Sequence, residues 1–121
     1  MGTIQTRYKR IEPKISEKQI ENQILSWLSL MGIMAIKIKS MGTYDEKLGR
    51  FRKPSPWYRK GCSDIIAFHN SKAYCLEVKT LKGIQSVHQK LFQVDVAKTG
   101  NEYHVVKSIE DVARIFQRSV T

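Results

Sequence analysis

The sequence predicts an α/β fold, a mixed sheet flanked by helices, and three observations carry that prediction. Two segments, opening at Ser16 and Ser86, place a glutamine three residues after the serine and then repeat apolar residues at helical spacing. Two apolar runs, one starting at Asp64 and one reaching Lys79, flank Asn70-Ser71 and read as an antiparallel hairpin. Residues 33–39 and 103–106 read as further strands, giving the order helix, strand, loop, strand, strand, helix, strand, helix.

The elements follow in order. Residues 1–15 form a basic arm with Arg7, Lys9, Arg10 and Lys14, its end marked by Pro13, and residues 16–121 form one domain with a single modest core. Ser16 and Gln19 stand in capping-box register, Ile20, Ile24, Trp27, Leu28 and Met31 supply the buried stripe of the first helix, and Gly32 stops it. In the strand at 33–39, Ile36 and Ile38 face one way, Lys37 and Lys39 the other. From 40 to 61 periodicity vanishes; Gly42, Gly49, Pro54 and Pro56 mark a long loop with at most a short hairpin through 50–53. Ser86 and Gln89 open the second helix, with Val87, Leu91, Val94 and Ala97 as its buried stripe and Gly100 as its stop. Ser108 starts a last helix whose first turn carries Glu110 and Asp111, favourable to the helix dipole.

Composition narrows the function. Lys and Arg number 21 against 11 acids, a net of +10, which favours a polyanionic partner, nucleic acid foremost; the plain alternative is a charged soluble surface. No apolar run approaches the roughly 18 residues that span a bilayer. The start MGTIQTRYKR lacks the apolar stretch of a secretory signal, and Met1-Gly2 with Thr6 matches a myristoylation pattern as easily by chance. Cys62 and Cys75 have neither zinc-type spacing nor scaffold density, so both are expected as buried or half-buried thiols in a reducing, cytoplasmic setting. His69, His88 and His104 are scattered singly and are assigned no chemistry.

The candidate site lies on the hairpin. Alternation puts Glu77 and Lys79 on one strand face, and the hairpin returns them beside Asp64. Two adjacent carboxylates repel unless a cation lies between them, so Mg2+ or Mn2+ is the expected partner, with the Val78 carbonyl as a further oxygen. Such a site suits phosphodiester hydrolysis: Lys79 would orient the attacking water or stabilise the charge growing on phosphorus, and the sequence leaves both roles open. The competing explanation is a Glu/Lys pair that keeps an exposed sheet soluble. In the loop GRFRKPSPWYRK (49–60), Arg50, Arg52, Lys53, Arg59 and Lys60 alternate with Phe51, Trp57 and Tyr58. Cations there would neutralise phosphates while aromatics stack on unpaired bases, unless the aromatics merely pin the loop. Lys82, just past the hairpin, joins this nucleic-acid-binding set. Nothing in the loop reads base edges, so recognition of DNA shape is expected.

Gly61-Cys62-Ser63-Asp64, then Leu76-Glu77-Val78-Lys79 and Gln89, resemble the PD-(D/E)XK nuclease superfamily, and within it the small, often phage-encoded VRR-NUC nucleases. The resemblance spans residues 16–116. It implies a restriction-endonuclease-like core, Asp64 and Glu77 as metal ligands, and Lys79 as the catalytic lysine. It maps the family's first-helix acid onto Glu21, a further catalytic and metal-binding candidate, with Glu17 one turn earlier as competitor. Gln89 matches the family's downstream glutamine, although capping its helix would explain it equally. The proline usual before the aspartate is Ser63 here; it binds no metal, so little changes. The resemblance further implies a Mg2+-dependent DNA endonuclease, a homodimer acting on branched DNA such as Holliday junctions, in the host cytoplasm if phage-encoded. A nuclease for single-stranded, flap or nicked DNA, and a non-catalytic nucleic-acid-binding module, are the alternatives.

Overall fold

The computed structural model describes residues 14–38, 44–51 and 56–117. Helix α1 (Glu17–Leu30) begins at the expected capping box: the Gln19 N–H donates to the Ser16 hydroxyl, and the Gln19 side chain accepts from the Ser16 N–H. Ile20, Ile24, Trp27 and Leu28 are buried along one face. The chain leaves the helix through Gly32 at φ +70°, a left-handed conformation that glycine adopts without Cβ strain.

Strand β1 (Met34–Lys37) pairs antiparallel with β4 (Ile65–His69), which pairs antiparallel with β5 (Lys72–Val78). Between β1 and β4 lies a two-stranded ribbon, β2 (Tyr44–Asp45) and β3 (Arg50–Phe51), closed by the Asp45 carboxylate accepting from the Lys47 and Leu48 N–H groups. This is the hairpin expected in the long loop, although Lys53 at its expected end lies outside the described residues. The β4–β5 turn is Asn70-Ser71, at φ +48° and +64°, the positive-φ pair that a two-residue hairpin requires. Helix α2 (Val87–Lys98) crosses to β6 (Glu102–Val106), which pairs parallel with β5, and α3 (Ile109–Ile115) completes the order. The sheet order is β1-β4-β5-β6, a mixed sheet as the sequence predicts.

Side-chain alternation sorts the core into two layers. Ile65, Ala67, Tyr74, Leu76, Val78 and Val106 face α1 and α3, while Ile66, Cys75, Tyr103 and Val105 face Phe92 and Val96 of α2. Two expectations need correction. Ile36, expected to face inward, is 42% exposed, because α2 covers the sheet at β6 and leaves the face of edge strand β1 bare. The α2 stripe is also reversed. Val87, Leu91 and Val94 are exposed at 72%, 55% and 53%, Ala97 is exposed too, and α2 instead faces the sheet with Gln89, Phe92, Gln93 and Val96. Only Val96 on this helix is fully buried, so helical periodicity located an apolar face but not the one the sheet covers.

Candidate active site

The two-residue turn fixes the hairpin register, and the register builds the site. Ile65 pairs with Leu76, so Asp64 falls opposite Glu77 at the open end of the hairpin. The Val78 N–H donates to Asp64 Oδ2 at 2.8 Å, and the Ile38 N–H donates to the Asp64 carbonyl at 2.7 Å. Asp64 is therefore held at both ends between β1 and β5. Ser63, where the family carries proline, is buried and donates its hydroxyl to the Ile65 carbonyl at 3.2 Å, which shapes the turn into β4.

Glu77 is 3% exposed, an unusual place for a carboxylate. Its Oε1 accepts from Gln89 Nε2 at 2.6 Å and lies 3.6 Å from Lys79 Nζ. Its Oε2 is buried and meets no hydrogen-bond donor. Burial first, and then the charge of Asp64, push the Glu77 carboxyl up to about 7, with Lys79 pulling the other way. Lys79 follows β5, anchored by its N–H to the Val106 carbonyl at 3.0 Å. Gly83 packs on the lysine stem, where an added Cβ would meet Lys79 Cβ at 3.1 Å.

The structure thus brings Asp64, Glu77, Lys79 and Gln89 together. Val78 contributes its backbone N–H, while its side chain is buried in the core. Glu21 stands at the margin: it pairs with Lys37 at 3.8 Å, and burial raises its pKa, with Lys37 opposing and Asp64 adding. Glu17 is exposed, yet its charge also contributes to the Glu77 shift. Among the described residues, no three His, Cys, Asp or Glu side chains converge closely enough to hold a metal ion by themselves. Two carboxylates with a bound phosphate still match Mg2+, which keeps several waters. The buried, donorless Glu77 Oε2 beside Asp64 is the feature that fits a divalent cation.

Of the loop residues, Arg50, Trp57, Lys60 and Lys82 are exposed and Tyr58 is half-buried; Arg52 and Lys53 lie outside the described residues. Arg59 has a different employment. Its guanidinium pairs with Asp95 on α2 and lies 5.4 Å from the centroid of the Phe92 ring. Two residues on, Gly61 at φ +86° presses its backbone onto α2, where an added Cβ would lie 2.4 Å from the His88 carbonyl and 2.7 Å from the Gln89 N. Arg59 and Gly61 therefore clasp the first turn of α2, the turn that aims Gln89 at Glu77. Sequence reasoning missed Asp95, Lys37 and the role of Gly61. A lone surface acid, an alternating lysine and a loop glycine carry no pattern that reveals a tertiary partner.

Cys62 is half-buried and Cys75 buried, both free, and burial raises both thiols, so neither is an activated nucleophile. Among the described residues no helix is long and apolar enough to cross a membrane.

No protein-family model and no curated protein matches the chain. One solved structure that does is Hjc of Archaeoglobus fulgidus, a Holliday junction resolvase from an archaeal hyperthermophile. It aligns over 75% of this chain and 67% of its own, at 23% identity and a TM-score of 0.51. The two chains share a fold. At that identity the likeness concerns the fold alone; the chemistry is argued from the residues above.

Proposed function

We propose that this chain is a divalent-metal-dependent DNA endonuclease selective for branched DNA such as four-way junctions, acting in the cytoplasm. The observation that carries the reading is Glu77: a buried carboxylate with one donorless oxygen, set opposite Asp64 and beside the Lys79 ammonium. Burying an acid without a partner costs several kcal/mol, a cost that a bound cation would offset. Asp64 and Glu77 would hold Mg2+, or Mn2+ in its place; when bound, the ion would supply charge neutralisation at the phosphate and an acidified water. Gln89 and the Val78 N–H fix the two carboxylates, each through one oxygen, leaving the other oxygen for the ion. Lys79 would direct its N–H donors at the attacking water or at the phosphate oxygens. Glu21 would act from the α1 side.

The shared fold with a Holliday junction resolvase supports branched DNA as substrate, and the net charge of +10 supports a polyanion. Two copies would present two sites to opposed strands of a symmetric junction. Arg50, Trp57, Tyr58, Lys60 and Lys82 are the proposed DNA contacts, each phosphate neutralised adding about 0.9 to the log–log salt slope. One observation favours a second reading. Trp57 is 92% exposed beside Tyr58, a surface suited to unpaired bases, which points to flaps or single strands.

The test is a panel of labelled junction, flap, nicked and single-stranded DNAs with Mg2+, Mn2+ or a chelator, alongside calorimetric titration of Mn2+. Junction nicking that needs the metal, abolished in Glu77→Ala with DNA binding retained, is expected. Cleavage that survives in Glu77→Ala at matched purity overturns the assignment, and preference for flaps selects the second reading.

A further inference from the structure

Five aliphatic side chains form a stripe that this chain leaves uncovered. Leu81 and Ile84 are each 84% exposed in the connection before α2, and Val87, Leu91 and Val94 continue along the outer face of the helix. The loop that begins the stripe is held in place. The Leu81 carbonyl accepts from Lys107 Nζ at 2.8 Å, and Gln85 next to Ile84 donates its amide to Gln93 on α2 at 2.9 Å. Phe92 and Val96 face the sheet while Val87, Leu91 and Val94 face out, so α2 is apolar on two opposite sides. A helix of that kind is stable in water when both sides are covered.

We infer that the outer face of α2, with Leu81 and Ile84, is the interface between two copies of this chain. Three features select a second copy as the occupant. The spacing Val87, Leu91, Val94 is four then three, the seam that lets identical helices interlock, and an aliphatic strip is complementary to itself. The bare surface is roughly 600 Å², at the upper end for a monomer, and covering it on both copies removes about 1,200 Å², the lower bound of a stable interface. The next stripe position is Lys98, whose ammonium lies 3.7 Å from the Asp95 carboxylate, so the end of the seam is not an uncompensated cation facing its own copy. Aliphatic side chains offer nothing to bases or phosphates, which leaves this face free while the basic loop meets nucleic acid. Pairing rests on the stripe and not on the nuclease reading; a chain that cleaves no DNA would still self-associate.

Sedimentation equilibrium of the full chain without DNA decides the matter. At tens of micromolar the expected mass is twice 14.0 kDa. Leu91→Glu is expected to weaken self-association at least a hundredfold while leaving the circular dichroism spectrum unchanged, because its side chain points away from the core. Leu91→Cys, at the middle of the seam, is expected to form a disulfide-linked pair under mild oxidation that wild type, with its less accessible thiols, does not. A wild-type mass of 14.0 kDa at 100 µM overturns the inference, whether residues 1–13, a lipid surface or another protein then covers the stripe. A mass that stays doubled in Leu91→Glu overturns it as well.

Discussion

Helices α1 and α2 open with the same device, a serine whose side chain and N–H exchange bonds with a glutamine three residues on, yet they have opposite relations to the molecule. α1 turns its strongest apolar stripe onto the sheet; α2 turns its own outward and meets the sheet with a thinner set that includes two glutamines. α1 contributes mainly hydrophobic burial. α2 contributes less core and instead delivers an amide to a buried carboxylate. Local sequence decides that a helix forms and where its apolar faces lie; what covers each face is decided by distant residues.

The two glycines beside these helices test that contrast most severely. Gly32 after α1 and Gly61 before β4 both have positive φ, but nothing lies within 4 Å of a Cβ at Gly32, whereas one at Gly61 would strike the backbone of His88. Gly32→Ala should cost about 1 kcal/mol, the left-handed strain alone. Gly61→Ala should cost on the order of 4 kcal/mol, strain plus overpacking against rigid backbone, and should displace Gln89 from Glu77. Urea denaturation of both variants measures the difference; equal costs would mean that the clasp on α2 does not constrain it.

The stripes give the next contrast. Leu28→Ala removes a fully buried side chain and should lower stability by about 3 kcal/mol at any protein concentration. Leu91→Ala should cost under about 0.5 kcal/mol in dilute protein and more as concentration rises. A concentration-independent loss of several kcal/mol at Leu91 would place that side chain in the chain's own core.

Protonation separates the two sides as well. Glu77, facing α2, keeps its proton up to about 7, against an ordinary value of 4.5. Native protein therefore binds more protons than unfolded protein between those values. The stabilisation is fully present below about 4.5 and is lost as pH rises through about 7, roughly 3 kcal/mol in metal-free buffer. Glu77→Gln should flatten that slope, while Glu21→Gln on α1 should remove less of it. Mn2+ should reverse the trend, since binding displaces the proton, measurable as buffer-dependent heat near pH 6.5. A Glu77→Gln profile as steep as wild type would assign the titration elsewhere.

Much of this was legible in the sequence where the cause was local. Asn70-Ser71 marks a two-residue turn, and from that turn the register that sets Asp64 opposite Glu77 follows by counting. Both capping boxes stand where the sequence puts them. Legibility ended where the cause was remote. Ile36 alternates like a buried strand residue, but it lies on an edge strand beyond the reach of α2. Arg59 reads as a cation for phosphate, yet Asp95, far along the chain, takes its guanidinium. The donorless Oε2 of Glu77 could not be foreseen, because burial of one carboxylate oxygen depends on every element around it.

The smallest expected effect is the most discriminating, because it compares two residues with identical local roles. Gln19 and Gln89 each accept from the N-cap N–H, at 2.9 and 2.8 Å, but only Gln89 is seen to use its amide N–H, donating to Glu77. Changing either to alanine should cost its helix about 0.5 kcal/mol. Gln89→Ala should in addition lower Mn2+ affinity about tenfold, as removing the partner of a metal-binding carboxylate does, while Gln19→Ala leaves it unchanged. Gln89→Glu sharpens the point: glutamate closes a capping box as well as glutamine, so the melting temperature should be restored. It cannot donate to an ionised Glu77, so Mn2+ affinity should stay low. Should Gln89→Glu recover both stability and affinity, the glutamine serves its helix alone, and the resemblance between the two helix starts would extend to their function.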